Sequence, residues 1–164
     1  FRYKKAGRPN LKTISPWQMA WENGCYYLIA YQDEKEPVGI RHYRVDRMAG
    51  ITVLDEPRRG KEQFAGFDLP AYLKKHFNMY GGDEYRVTLR CTADLEPAMR
   101  ERFGSGPIFL PEGEEHFHFD VPICVSDQFY GWVCGFGGKV EITAPAEVRQ
   151  GLHDMVQELA EQHN

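Results

Sequence analysis

Residues 15–48 read SPWQMAWENGCYYLIAYQDEKEPVGIRHYRVDRM. Two aromatic, apolar strand patterns flank an acidic turn, and the second ends in three arginines, Arg41, Arg44 and Arg47, set between apolar residues. Trp17, Met19 and Trp21 alternate, which predicts a strand carrying all three on one face. Asn23-Gly24 accepts the positive φ of a type I′ turn and predicts a tight hairpin. Residues 25–31 hold almost no polar side chain, so the returning strand is expected to be buried on both faces. Residues 33–39 make the next turn and residues 40–46 a third strand.

Working outward, Phe1-Arg2-Tyr3 reads as a short strand before a Gly7-Arg8-Pro9-Asn10 turn. Residues 51–54 read as a fourth strand. Short strands and tight turns within 1–60 predict a small closed β-barrel. Residues 55–68 form a charged connector. A helix is expected over 69–80, capped by Asp68, opened by Pro70 and ended by Gly81-Gly82. Beyond it, Tyr85, Val87 and Leu89 alternate as a strand and residues 94–102 read as a helix. Strands follow at 107–110 and 115–125, around Pro111-Glu112-Gly113. Ser126 or Asp127 caps a short helix over 128–134, residues 140–143 form the last strand, and an amphipathic helix closes the chain over 146–162. The order β-α-β-β-α-β matches a ferredoxin-like sandwich with a helix added. The fold class expected is α+β, divided into a barrel (1–60), a connector with its helix (61–82) and the sandwich (83–164).

The chain has 164 residues, 42% hydrophobic and 27% charged, as an ordinary globular protein does. No apolar run reaches the ~18 residues that span a bilayer, so no membrane partner is expected. Cys25, Cys91, Cys124 and Cys134 lie in apolar runs without CxxC spacing and read as buried thiols of a reducing, cytoplasmic protein. Residues 1–60 carry 11 Lys+Arg against 7 Asp+Glu, and residues 61–164 carry 9 against 17. A basic half joined to an acidic half points to two units with different partners.

Guanidinium groups suit phosphates because they are planar, permanently charged and bidentate. In a regular strand Arg41, Tyr43, Val45 and Arg47 share one face, and His42, Arg44 and Asp46 the other. Arg41 and Arg47 with Tyr27 make one cluster, and Arg44 with His42 another. A bulge near Tyr43 would bring the arginines together. The competing reading pairs Arg44 with Asp46, Glu34 or Glu36 as surface ion pairs. Ser15 is a turn hydroxyl or a ligand donor. His116 and His118 share a strand face at a spacing that can bind zinc, but they lack further ligands and read as a surface pair. Trp132, Phe129 and Phe136 read as core ahead of a partner surface, and the loop Gly135-Phe136-Gly137-Gly138 lacks the Lys-Ser/Thr of a phosphate-binding loop. No catalytic motif is present, so neither an enzyme nor a cofactor is expected.

These residues resemble the WYL family. Tyr26-Tyr27-Leu28 is similar to its Trp-Tyr-Leu signature, with Tyr26 in place of the Trp. Ser15-Pro16 resembles its strand entry, and residues 40–48 its arginine-bearing strand. Residues 85–91, 131–137 and 140–145 resemble the C-terminal extension that follows WYL domains in bacterial transcriptional regulators. The resemblance implies an Sm/SH3-like barrel that senses nucleotide-like or single-stranded nucleic-acid ligands, with Ser15, Tyr27, Arg41, His42, Tyr43, Arg44 and Arg47 as the ligand-binding candidates. It implies a homodimer held by the extension, and duplex DNA binding only through a helix-turn-helix that this chain does not contain. An oligomerisation scaffold with no ligand is the alternative, and an enzyme acting on nucleotides ranks third.

Overall fold

A computed structural model, which describes residues 1–4, 9–33 and 38–163, contains the hairpin that Asn23-Gly24 predicts. Asn23 and Gly24 take φ of 47° and 74°, the left-handed values of a type I′ turn. They join β3 (Ser15–Glu22) to β4 (Cys25–Gln32), which pairs on its other edge with β5 (Gly39–Arg44). Ile29 and Ala30 are adjacent and both fully buried, as an apolar central strand requires. The alternation expected along β3 fails at Trp17. The register shifts between Pro16 and Gln18, and this bulge separates Trp17, which stacks on Phe64, from the exposed Met19 and Trp21.

The closed barrel expected over 1–60 does not form among the described residues. Strands β1 (Arg2–Tyr3), β2 (Asn10–Leu11) and β6 (Met48–Ala49) make a second three-stranded sheet, ordered β2-β1-β6. The Phe1 and Tyr3 rings meet the buried Tyr43 ring of β5 edge-on at 5.5 and 5.2 Å, so the two sheets meet at an aromatic knot. Residues 51–54 are not a strand. Gly50 takes a φ of 61°, which turns the chain off the sheet edge and leaves Ile51, Val53 and Leu54 exposed, Val53 by 92%. Part of the turn expected at 7–10, and residues 34–37 of the next turn, lie outside the described residues.

Helix α1 (Leu69–Lys75) starts where Asp68 predicts, with Asp68 Oδ1 accepting from the Ala71 amide at 3.1 Å. It stops five residues short of the expected end. The His76 amide closes onto the Leu73 carbonyl, and Asn78 and Met79 take φ of 52° and 59°. Burial outweighs helical periodicity there. Phe77 packs on Phe129 and Trp132 at 5.2 and 5.1 Å between centroids, with the Arg102 guanidinium over it at 4.4 Å.

The chain divides into two units, Phe1–Tyr72 and Leu73–Asn164. The second contains β7 (Glu84–Thr92), α2 (Glu96–Phe103), β8 (Leu110–Glu112), β9 (His116–Cys124), α3 (Asp127–Cys134), β10 (Val140–Ala144) and α4 (Ala146–Gln162). Its antiparallel sheet is ordered β10-β7-β9-β8, giving a mixed α/β fold with the predicted element order. Strand β8 begins three residues later than expected, because Gly113, at a φ of 67°, places the turn after Glu112. Val87, Leu89 and Cys91 point from β7 into a core closed by Met99, Phe129 and Val148 of the helices. Ser126 caps α3 through its hydroxyl, which accepts from the Phe129 amide.

The cysteine expectation holds in part. All four are free, and Cys91 and Cys124 are buried, whereas Cys25 is half-buried and Cys134 is exposed at the end of α3. Among the described residues no helix is long and apolar enough to cross a membrane.

Candidate anion-binding site

Register decides which arginines meet. Arg44 lies opposite Tyr27 across β4 and β5, and His42 lies opposite Ile29, so Tyr27, His42 and Arg44 share one sheet face. Arg41 and Tyr43 lie on the other face, opposite Ala30 and Leu28. The strand ends at Arg44 and continues as a 3-10 turn over Val45–Arg47. Strand alternation therefore does not carry past Arg44, and Arg47 acts on the same phenol as Arg44, that of Tyr27. The alternation expected through residue 47 is therefore broken, and the arginine clusters change membership. Tyr27 stands with Arg44 and Arg47, and Arg41 stands apart with Tyr43.

The electrostatics report the same grouping. Burial pushes the Tyr27 phenol above its ordinary value, while Arg44 and, more weakly, Arg47 pull it back; the Cys25 thiol adds to the rise. Asp46 chelates Arg44, with Arg44 Nε donating to Oδ1 at 3.0 Å and Nη2 to Oδ2 at 2.7 Å. This bond holds the Asp46 carboxyl below the usual carboxylate range and raises Arg44 above its own ordinary value. The Arg44 backbone amide donates to Tyr3 Oη at 3.0 Å, which fixes the end of β5. Arg47 is exposed. The unit therefore presents two guanidinium groups and a phenol at one end of the sheet, one guanidinium already holding a carboxylate. Such a set can accept a phosphate at Arg47 at once, and at Arg44 by exchange with Asp46.

The remaining candidates serve other contacts. Ser15 Oγ accepts from the Arg59 amide at 2.8 Å, a long-range contact to the connector rather than a turn bond. Tyr43 Oη donates to Gln32 Oε1 at 2.6 Å inside the aromatic knot, and burial raises its phenol while Arg41 lowers it. His42 Nε2 lies 2.8 Å from Tyr72 Oη. Glu112 of β8 lies opposite His116, its carboxylate 3.9 Å from His118 Nδ1, and no metal-holding group of three occurs among the described residues.

Sequence reasoning missed the connector. Residues 58–72 lie against the sheet: Arg58 sits 4.3 Å over the Trp17 ring, Trp17 Nε1 donates to the Arg59 carbonyl at 2.8 Å, and Arg59 pairs with Asp33 at 3.0 Å. Rings then run in sequence from Trp17 through Phe64 and Phe67 to Tyr72 and His42, with centroids 5.0, 5.0, 4.8 and 5.6 Å apart. Gly60, at a φ of 81°, lies against the Tyr31 ring where a Cβ would collide. The available signal was Phe64 and Phe67 themselves, since two rings close together in a charged connector are more than a solvated linker needs.

Two domain families match the chain, the WYL domain over residues 1–53 and the WCX domain over residues 83–160. Among solved structures the chain is similar to proteasome accessory factor B/C (PafBC) of Arthrobacter aurescens, with 21% identity and a TM-score of 0.40, covering 92% of this chain and 23% of that one. It is also similar to a CRISPR Cas-related protein, with 18% identity and a TM-score of 0.47, covering 91% of this chain and 42% of the other. The chain thus spans less than half the length of either. No curated protein matches it.

Proposed function

The chain belongs to the WYL family, with a WYL domain followed by a WCX domain, and on that premise we propose that it is the effector-sensing region of a transcriptional regulator. The ligand is nucleotide-like or a short single-stranded nucleic acid, bound at the end of β5 by Arg44, Arg47 and Tyr27. A helix-turn-helix linked to this region reads the bound state on duplex DNA. The observation that supports this reading is that β5 ends at Arg44 and that both Arg44 and Arg47 act electrostatically on Tyr27, in a half of the chain with excess positive charge. The two short sheets around Tyr43 support an open relative of the Sm/SH3 barrel, and the β10-β7-β9-β8 order supports a ferredoxin-like second unit. Homodimerisation belongs to that second unit in this reading, and no reaction is assigned to either.

The test is fluorescence anisotropy of a labelled ten-nucleotide single-stranded DNA across a salt series. Each phosphate contact contributes about 0.7 to the slope of log affinity against log salt. Arg44→Ala and Arg47→Ala are each expected to weaken binding and flatten that slope by about this amount. Arg41→Ala, on the other face, is expected to leave both near wild type. Equal losses in all three would place the site elsewhere. A ligand-free oligomerisation scaffold is the second reading, favoured by the exposed Ile51, Val53 and Leu54 and by Val156 and Leu159 on α4. It requires that no arginine variant change anything but solubility.

A further inference from the structure

His42 shares a sheet face with Tyr27 and Arg44, two residues along β5 from Arg44. Its ring partner is not on the sheet. Tyr72 Oη lies 2.8 Å from His42 Nε2, and the two rings meet at 5.6 Å in a near-perpendicular pair. Tyr72 is on α1, beyond residues 1–53 that match the WYL domain, and it is the last residue of the first unit. The helix is anchored one turn earlier, where Asp68 takes the Ala71 amide on its side chain and the Tyr72 amide on its carbonyl. Phe67 and Phe64 continue the ring contacts back to Trp17 on β3.

We propose that Tyr72 is a positioning residue of the ligand site: through its hydroxyl it fixes the His42 ring, and through the same bond it ties α1 to the arginine-bearing strand. Two facts make the hydroxyl the joint. It is a polar contact between α1 and the face that carries Tyr27 and Arg44. Its helix also carries the chain into the second unit, so a change at β5 that moves His42 alters the order of the segment that joins the two units. A bond made in one state and lost in the other couples the two ends reciprocally. This inference rests on the reading that β5 holds the ligand.

The test uses the whole chain as wild type, Tyr72→Phe, His42→Gln and the double variant, with the ten-nucleotide single-stranded DNA as probe. Hydrogen exchange is read at the backbone amides of residues 72–75. Without probe, each single variant is expected to speed exchange there about 5-fold, and the double variant no further, because both remove one bond. Unchanged exchange in Tyr72→Phe overturns the joint whether or not any probe binds. With saturating probe, exchange in α1 of the wild type is expected to shift by at least 3-fold. Tyr72→Phe is expected to lose that shift and, by the same reciprocity, to change its probe affinity by a similar factor, a paired response that a merely structural hydroxyl would not give. A shift that persists in Tyr72→Phe overturns the relay. Absence of probe binding by the wild type, with the ligand-free result intact, instead removes the ligand assignment and the relay with it.

Discussion

The two units are held together by different means. In the second, alternating strands and three helices close over a continuous apolar core, with Val87, Leu89, Cys91, Met99 and Phe129 fully buried. In the first, the buried hydrophobic side chains among the described residues are Ala20, Ile29, Ala30 and Tyr43, while Met19, Trp21 and Tyr26 stay exposed, Trp21 by 58% and Tyr26 by 53%. Rings stacked in sequence and individually placed hydrogen bonds take the place of volume there. A volume-filled core tolerates little loss of volume anywhere and does not depend on any single polar contact. A unit pinned by single contacts can change state when one of them changes, which is the property a sensor needs.

The largest effect expected from this difference is in the second unit. Phe129→Ala removes a fully buried ring that touches Phe77, Tyr130 and Trp132. Denaturant unfolding is expected to show a loss of about 3–5 kcal/mol. A loss under 1 kcal/mol would mean that the core collapses around the gap and that the contrast between the units is overstated.

The next effect is a pH dependence carried by Cys91. Burial pushes its thiol up to about 12. Unfolded, the thiol ionises near 8.5. Between those values the native chain keeps a proton that the unfolded chain releases, so the stability contribution is complete below the unfolded value and is lost as pH rises towards 12. The decline is about 1.4 kcal/mol per pH unit for one such group. Cys91→Ala is expected to flatten the alkaline limb of the stability profile while lowering its plateau. An unchanged limb would assign the decline to other groups.

In the first unit one oxygen is the fairest probe. Tyr43→Phe keeps the ring among Phe1 and Tyr3 and removes the donor to Gln32 Oε1. A loss of about 1–2 kcal/mol is expected, since the buried amide oxygen loses that bond. A neutral result would show that the rings alone hold the knot.

What the sequence revealed follows the same division. Period-two and helical patterns were legible wherever a side chain's burial is set by its own element, which covers β7, β9, α3, α4 and the Asn23-Gly24 hairpin. They were not legible where tertiary contacts override the pattern. The bulge at Trp17 exists because Phe64 and Arg58 receive the indole from 41 or more residues away. The early end of α1 exists because Phe77 is buried against α3. For the site, residue types and the strand were readable, but face assignments past Arg44 were not, because alternation presumes a strand and Val45–Arg47 is a 3-10 turn.

The smallest effect expected is the most discriminating for the site. Asp46 and Arg44 form an exposed bidentate pair, and exposed pairs contribute little to stability because water and salt already screen them. If the pair were there to hold the fold, Asp46→Asn would lower the melting temperature. If Asp46 instead occupies Arg44 until a phosphate displaces it, the same change leaves the melting temperature alone and releases the guanidinium. It also removes a like charge from the path of an anionic ligand. Asp46→Asn is therefore expected to melt with wild type and to bind the single-stranded probe several-fold more tightly. The gain should vanish in the Asp46→Asn, Arg44→Ala double variant, since Arg44 is the group that the carboxylate occupies. A gain that survives the loss of Arg44 would mean that Asp46 acts through the general field, and Arg47 alone would then carry the ligand contact.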